Sequence, residues 1–295
     1  MIEQLNGERR MPHFVAATDF SSRSQRALRR AGMLASQFGA ELTLVHVVDD
    51  DQPTNIVDLE RREGDKFLNE QIASLAELRG VRCHAVTTTG EAFEGVLRTA
   101  KDVACDLIVM GSHRKQVLRD VFIGTTIERV IRTGSFPVLM VNKPADFRYN
   151  RIVATVDLSD ASARAVQAAQ GLHLLDEGDI TLLHAFLAPA QGKMYVANAS
   201  KEQIDAYVAE ERAQAGGELA AFVTKHALDV GGWRRRLAAG EPFGVIERLV
   251  AEEEPDLLIV GTHGRSALLK TLIGSVAEEV LRRLDVDILA VPPAR

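Results

Sequence analysis

Two cysteines in 295 residues, Cys83 and Cys105, both in the first half, are too few for a secreted disulfide framework. They cannot supply a four-thiolate zinc site either, and each is expected to serve as a small buried hydrophobe. Positive charge is not in excess: 35 basic residues against 41 acidic ones leave a formal charge of −6. Such a chain has no electrostatic footprint for wrapping DNA or RNA. The short basic run Arg234, Arg235 and Arg236 is expected to be a solvated face. No apolar run reaches the length of about 18 residues that a membrane span needs. Residues 1–13 lack the apolar stretch of a signal peptide, so a cytoplasmic location without a membrane partner is expected. Several catalytic and metal motifs are missing too. None of the eight histidines stands in H-E-x-x-H spacing, and no Walker A lysine or G-x-S-x-G elbow occupies a strand–helix junction.

What is present is an ordinary globular composition, 46% hydrophobic and 26% charged, which excludes disorder as the dominant state. The length suits two domains, and the sequence repeats itself. Residues His13 to Asp19 match Arg151 to Asp157, and Ala40 to Val47 match Gly178 to Ala185. Asp19 and Asp157, like His46 and His184, lie 138 positions apart. Further on, Gly90-Glu91 matches Gly240-Glu241 and Asp106 to Gly111 matches Asp256 to Gly261, now 150 positions apart. The second copy therefore carries a net insertion of 12 residues, expected between its second and third strands. Lys143 to Tyr149 reads as the linker, giving domains over 1–143 and 150–295.

Within each copy, continuous apolar runs such as Leu107 to Met110 and Leu257 to Val260 suit strands buried on both faces of a parallel sheet. Helical segments alternate with them. Ser22 with Gln25 and Ser200 with Gln203 have capping-box spacing, and Pro242 suits a first helical turn. After Ser200, the stripe Ile204, Val208, Ala215, Leu219, Phe222 and His226 reads as a face packed on the sheet, with no chemical role. Five strands per copy in this alternation predict two open, doubly wound parallel sheets. Ligands in such sheets sit beyond the carboxyl ends of the strands, where the strand order reverses.

The unusual residues fall there. Gly261 and Gly264 follow strand four of the second copy and could admit close backbone approach or positive φ. Nine residues later, Gly274-Ser275 opens a helix, offering free N–H groups, a hydroxyl and the positive end of the helix dipole. Each feature alone suits a tight turn or an N-cap equally well; their joint placement favours a phosphate site. Asp157 would lie across the crevice, able to accept hydrogen bonds from a ribose or base.

Gly261-x2-Gly264-x9-Gly274-Ser275, with Asp157 after strand one, resembles the ATP-binding signature of the universal stress protein family. The resemblance covers both copies. It implies the family fold, akin to adenine nucleotide alpha hydrolases, and a site in which Asp157 and the backbone of Ala185 bind adenine or ribose, with Val260 at the pocket wall. Gly261, His263, Gly264, Gly274, Ser275 and Val276 would surround the phosphates. ATP, and Mg²⁺ with the triphosphate, are what the resemblance implies as ligands. The corresponding first-copy positions are Asp19, Val47, Met110, Gly111, His113, Arg114, Gly124 and Thr125. Arg114 stands where the second glycine should be. Arginine cannot replace glycine where positive φ or close approach is needed, but its donors could fold over a phosphate. A closed and an altered pocket both follow; weaker or absent ATP binding is favoured.

Neither His113 nor His263 has an evident nucleophile and orienting partner, so a phosphate-side hydrogen bond is the expected use. His46 and His184 read as buried, satisfied side chains. The function implied is a nucleotide-dependent stress-response module, acting through dimerisation or an unidentified protein partner. A slow ATPase or nucleotidyl-transfer enzyme, or a scaffold without nucleotide, are the alternatives. In the family the last strand often makes dimer contacts, so Pro137 to Val141 and Asp287 to Val291 could pair within one chain as a pseudo-dimer, with homodimers still open. The segment Leu187 to Asn198, with Pro189, Gly192, Met194 and Tyr195, is expected to be either a flap over the second site or an exposed linker.

Overall fold

The computed structural model describes residues 10–112, 124–228, 230–264 and 272–293. The first copy runs β1 (His13–Ala17), α1 (Ser22–Phe38), β2 (Glu41–Val48), α2 (Thr54–Ser74), β3 (Cys83–Thr89), α3 (Ala92–Asp102), β4 (Leu107–Gly111), α4 (Thr126–Thr133) and β5 (Val138–Val141). The second runs β6 (Arg151–Val156), α5 (Asp160–Gly171), β7 (Asp179–Phe186), α6 (Gln191–Val196), α7 (Lys201–Lys225), β8 (Arg234–Ala239), α8 (Pro242–Glu253), β9 (Leu257–Gly261), α9 (Ser275–Arg283) and β10 (Asp287–Val291). The extra helix α6 sits between the second and third strands of its copy, where the change of offset places the insertion.

Local chemistry explains several helix starts. Ser200 and Gln203 form the reciprocal capping box of α7, and Pro242 is the first residue of α8, where its missing N–H costs nothing. At α1 the cap is Ser21, not Ser22: the Ser21 hydroxyl accepts from the Ser24 N–H, and Ser22 is already helical. The cause lies one turn earlier. Asp19 Oδ1 accepts from Ser21 N at 3.0 Å, and Phe20 takes φ +59, which leaves Ser21 extended.

The ten strands of the described residues form one sheet in the order β3-β2-β1-β4-β5-β10-β9-β6-β7-β8. Every neighbour pair is parallel except β5 with β10. There Leu139 stands opposite Leu289, its own equivalent in the second copy, flanked by Met140 with Ile288 and Val138 with Ala290. A local two-fold relation between the copies runs through that pair. The last strands do pair within the chain. Leu139, Val141 and Leu289 belong to one apolar core that continues from copy to copy, while Val138, Met140, Ile288 and Ala290 belong to the core on the other face.

One buried polar cluster pins the copies together. Asp287, fully buried at the start of β10, accepts from the backbone N–H groups of Asn142 and Lys143 and from the Tyr149 hydroxyl. Arg30 of α1 lies 3.4 Å from Asp287, stacks over the Tyr149 ring and donates to the carbonyls of Phe147 and Pro144. Burial, with the nearby Asp287 charge, pushes the Tyr149 hydroxyl well above its ordinary range, so it stays protonated and donating. The linker is thus held from both sides. A buried charge is tolerated only with such partners.

Cys105 is buried, its thiol pushed up to about 12 by burial, whereas Cys83 is half-buried; both are free. Among the described residues no helix is long and apolar enough to cross a membrane.

Candidate functional site

In the second copy the reversal of strand order lies at β6, which has β9 on one side and β7 on the other. A cavity of about 870 Å³ opens over their carboxyl ends. All nine residues named from the sequence for this copy line it: Asp157, Ala185, Val260, Gly261, His263, Gly264, Gly274, Ser275 and Val276. The chain brings them together from the ends of three strands and the start of α9.

Asp157 is held by the turn that caps α5. Its Oδ1 accepts from both the N–H and the hydroxyl of Ser159, at 3.1 and 2.5 Å. Between them Leu158 takes φ +63, as Phe20 takes +59 in the first copy. A branched or aromatic residue in that region is strained, and the same strain recurs after both aspartates. It turns the Asp157 carboxylate towards the glycine loop.

The glycines serve close approach rather than positive φ, which Gly261, Gly264 and Gly274 do not adopt. A Cβ on Gly264 would stand 2.7 Å from Asp157 Oδ2. A Cβ on Gly261 would stand 3.2 Å from the backbone of Ala161 in α5, so that glycine serves strand–helix packing. Gly274 donates its N–H to Thr262 O at 2.7 Å and is the N-cap of α9. Having no side chain, it makes no cap, and Ser275 is the first helical residue rather than a capping serine. Among the described residues, the start of α9 therefore faces the cavity without a side-chain cap on it.

The histidines divide. His263 lines the cavity, its Nδ1 3.0 Å from the hydroxyl of fully buried Thr262. His46 Nδ1 and His184 Nδ1 bond the carbonyls of Thr18 and Val156, tying the ends of the first two strands of each copy. They are satisfied there, but His184 also reaches the cavity wall.

Sequence reasoning passed over a whole wall. Glu211, Gln214, Ala215 and Glu218 of α7 line the cavity, as do Pro242 and Ile246 of α8. The stripe on α7 is buried at Ile204, Ala215, Leu219 and Phe222, but between Ile204 and Ala215 no side chain is buried, and Arg212 there reaches the sheet only through the Leu237 carbonyl and the Phe186 ring. Of the segment Leu187 to Asn198, only Leu187 reaches the lining. The helix α6 packs beside α7, with Ala190 N donating to the Tyr207 hydroxyl, and Tyr195 and Val196 point outwards. The exposed-linker alternative describes it.

The first-copy counterpart is a cavity of about 270 Å³, lined by Asp19, Val47, Met110, Gly111 and Thr125 but not by Gly124. His113 and Arg114 lie outside the described residues. Three differences shrink it. Arg23, where the second copy has Ala161, lies in the lining 3.9 Å from Asp19. Although partial burial opposes it, the Ser21 and Ser24 hydrogen bonds and the Arg23 charge hold the Asp19 carboxyl below its ordinary value. Thr125 caps α4 through Glu128 N, while the Glu128 carboxylate, nearly buried, accepts from Gly124 N at 3.2 Å. Its own acid thus occupies the anion position at that helix start. Last, the rings of Phe67 of α2, Phe20 and His46 pack against one another in tilted pairs, and α2 gives no residue to the cavity.

Among the described residues no group of three His, Cys, Asp or Glu side chains is placed to hold a metal ion. The residues present do not fit a protein-only Mg²⁺ cage, and that ion usually binds through waters and ligand phosphates.

Comparison with known proteins agrees with this architecture. Over 148 residues the chain is 32% identical to a universal stress protein of Methanocaldococcus jannaschii, covering 47% of this chain and 86% of the relative. A universal stress protein of Mycolicibacterium smegmatis is 23% identical over 95% of this chain and 96% of its own. In fold, the crystal structure of a universal stress protein from Archaeoglobus fulgidus superposes with a TM-score of 0.67 at 16% identity, over 96% of this chain and 98% of that one. A putative universal stress protein from Pseudomonas aeruginosa gives 0.64 at 16% identity, over 96% and 93%. The profile of the Universal stress protein family matches twice, over residues 11–142 and 148–292, and the chain belongs to that family as a tandem member.

Proposed function

We propose that this chain is an ATP-binding regulatory module with one working site, the second-copy cavity. The observation that carries the reading is the convergence of all nine signature positions on a single cavity of about 870 Å³. That volume falls in the range of about 300–1,000 Å³ usual for small-molecule sites, whereas about 270 Å³ in the first copy falls below it. The uncapped start of α9 at Gly274, Ser275 and Val276 receives the phosphates, with His263 beside them. Asp157, Ala185 and Val260 border the base and ribose. Mg²⁺ enters with the triphosphate rather than through a protein cage.

Occupancy reaches the surface through Leu187 and Leu272, which line the mouth while more than half exposed. A partner that reads nucleotide state has those side chains to read. Mass spectrometry of nucleotide released from freshly purified, denatured protein tests the reading. About one ATP per chain, lost in Gly274→Val, is the expected result. Two per chain would reopen the first copy, and no nucleotide after soaking with ATP and Mg²⁺ would sink the proposal.

A further inference from the structure

The second copy carries another cavity at the opposite end of its strands. About 860 Å³ opens over the amino ends of β7 and β8, lined by Gln170, Asp176, Asp179, Thr181, Trp233 and Arg234 among others. It shares no residue with the cavity described above. Thr181 lines the one and His184 the other, about 10 Å apart along β7, with Leu182 and Leu183 buried between them.

The first copy fills the equivalent place. Its short turn Ala76–Leu78 is seated on α1 at Gly32, where a Cβ would stand 2.7 Å from both Leu78 Cδ2 and Glu77 O. Glu41, the first residue of β2, commits its carboxylate to Arg82 and His84. The second copy departs at both points. Gln170 stands in α5 where Gly32 stands in α1, so the connection from α7 to β8 has no bare helix surface to close on, and Gln170 lines an open cavity. Asp179 stands where Glu41 does, yet among the described residues its carboxylate has no hydrogen-bond or ion-pair partner.

The lining has one kind of charge to offer. Leu175 and Ile180, both buried, give it an apolar part, and the half-buried Trp233 adds an aromatic ring. Arg234, the one cation lining it among the described residues, donates to the Thr181 hydroxyl and to the Glu253 carboxylate, so its charge is already matched. Asp176 is bonded to His173 Nδ1 at 2.7 Å, and Asp179 is left with its charge unmatched. We infer that this cavity binds a small organic cation, an alkylammonium whose charge is held by Asp179 and Asp176 with the Trp233 ring, and whose stem lies on Leu175 and Ile180. A carboxylate and an aromatic ring both attract an ammonium group, and a partly apolar wall suits its carbon stem. An anion would meet two carboxylates with no unmatched cation to offset them, and a neutral polyol gains nothing from the Asp179 charge. The inference stands apart from the nucleotide reading.

Trp233 is the only tryptophan of the chain, so its fluorescence reports on this cavity. The full chain is titrated with diaminobutane, butanediol and succinate, which share a four-carbon stem and differ in charge, and binding heat is read in parallel. Diaminobutane is expected to change the Trp233 emission saturably, while butanediol and succinate leave it flat. Asp179→Asn should raise the half-saturating concentration by about threefold to fivefold, the upper range for an exposed charge pair. Asp179 is exposed and its carboxylate is unpartnered, so an unchanged melting temperature is expected to accompany that shift. Asp65→Asn, which removes an exposed acid on α2 of the other copy, should leave the titration as it is. Neither emission change nor binding heat with diaminobutane overturns the inference. So does a response to butanediol equal to that of diaminobutane, or a titration that Asp179→Asn does not move. Equal weakening by Asp179→Asn and Asp65→Asn overturns it as well, assigning the effect to the overall charge of −6.

Discussion

A Cβ at position 264 would stand 2.7 Å from Asp157 Oδ2, so even alanine there must push the carboxylate off Ser159 or tilt the loop. Gly264→Ala is therefore expected to lower ATP affinity about tenfold or more, the scale of one charge-assisted hydrogen bond. In an Asp157→Ala background the same change should cost almost nothing further. Calorimetry on the four proteins of that cycle decides whether the two residues act as a unit. The glycine was legible in the sequence, but its reason was not: it yields space to a side chain 107 positions away rather than adopting a special torsion. The strain at Leu158 and Phe20 was not legible at all, because nothing in a leucine or a phenylalanine announces positive φ. Only the surrounding turn, fixed by Asp–Ser hydrogen bonds in both copies, imposes it.

Helix starts separate structure from ligand chemistry at the scale of elements. Thr125 is a true N-cap of α4, whereas the equivalent Ser275 is the first residue of α9 and caps nothing. Thr125→Ala should cost about 1 kcal/mol of stability with little effect on nucleotide, measured by denaturant titration. Ser275→Ala should leave stability unchanged and weaken ATP binding severalfold. The reverse pattern would return Ser275 to a structural role. Caps were readable where they are local, as at Ser200 with Gln203 and at Pro242. At α1 the choice between Ser21 and Ser22 was decided by the Asp19 turn, which spacing alone does not reveal. The wall formed by α7 escaped for a deeper reason. Whether a helix packs on its sheet or borders a cavity depends on what fills the space between, here the tilted rings of Phe67, Phe20 and His46 in one copy and an open cavity in the other.

Across the whole molecule the two copies share one sheet and continuous cores on both of its faces. The repeat and the pairing of last strands were visible in the sequence because β5 and β10 are short apolar runs at the same place in each copy. The polar cluster at Asp287 was not, since Arg30 of α1 and the linker residues Asn142, Lys143 and Tyr149 meet it from two segments far from it in sequence. Asp287→Ala strands a nearly fully buried Arg30 and should cost about 3–5 kcal/mol, read by urea unfolding. The shared sheet also sets how ligand binding is felt. If β5–β10 makes one cooperative unit, ATP in the second copy stabilises both halves together. At a free concentration of 100 Kd the gain is about 2.7 kcal/mol, and the whole chain should melt in one transition displaced upwards. Hydrogen exchange adds the spatial answer: amides of β1 and β4, far from the cavity, should gain protection alongside those of β6 and β9. Protection confined to the second copy, with two separate melting transitions, would mean that the β5–β10 ladder joins the halves without coupling them. In that case Asp287→Ala, which lies in β10 of the ATP-bound half, should lower the two transitions separately. With coupling, the same substitution lowers the single transition as a whole.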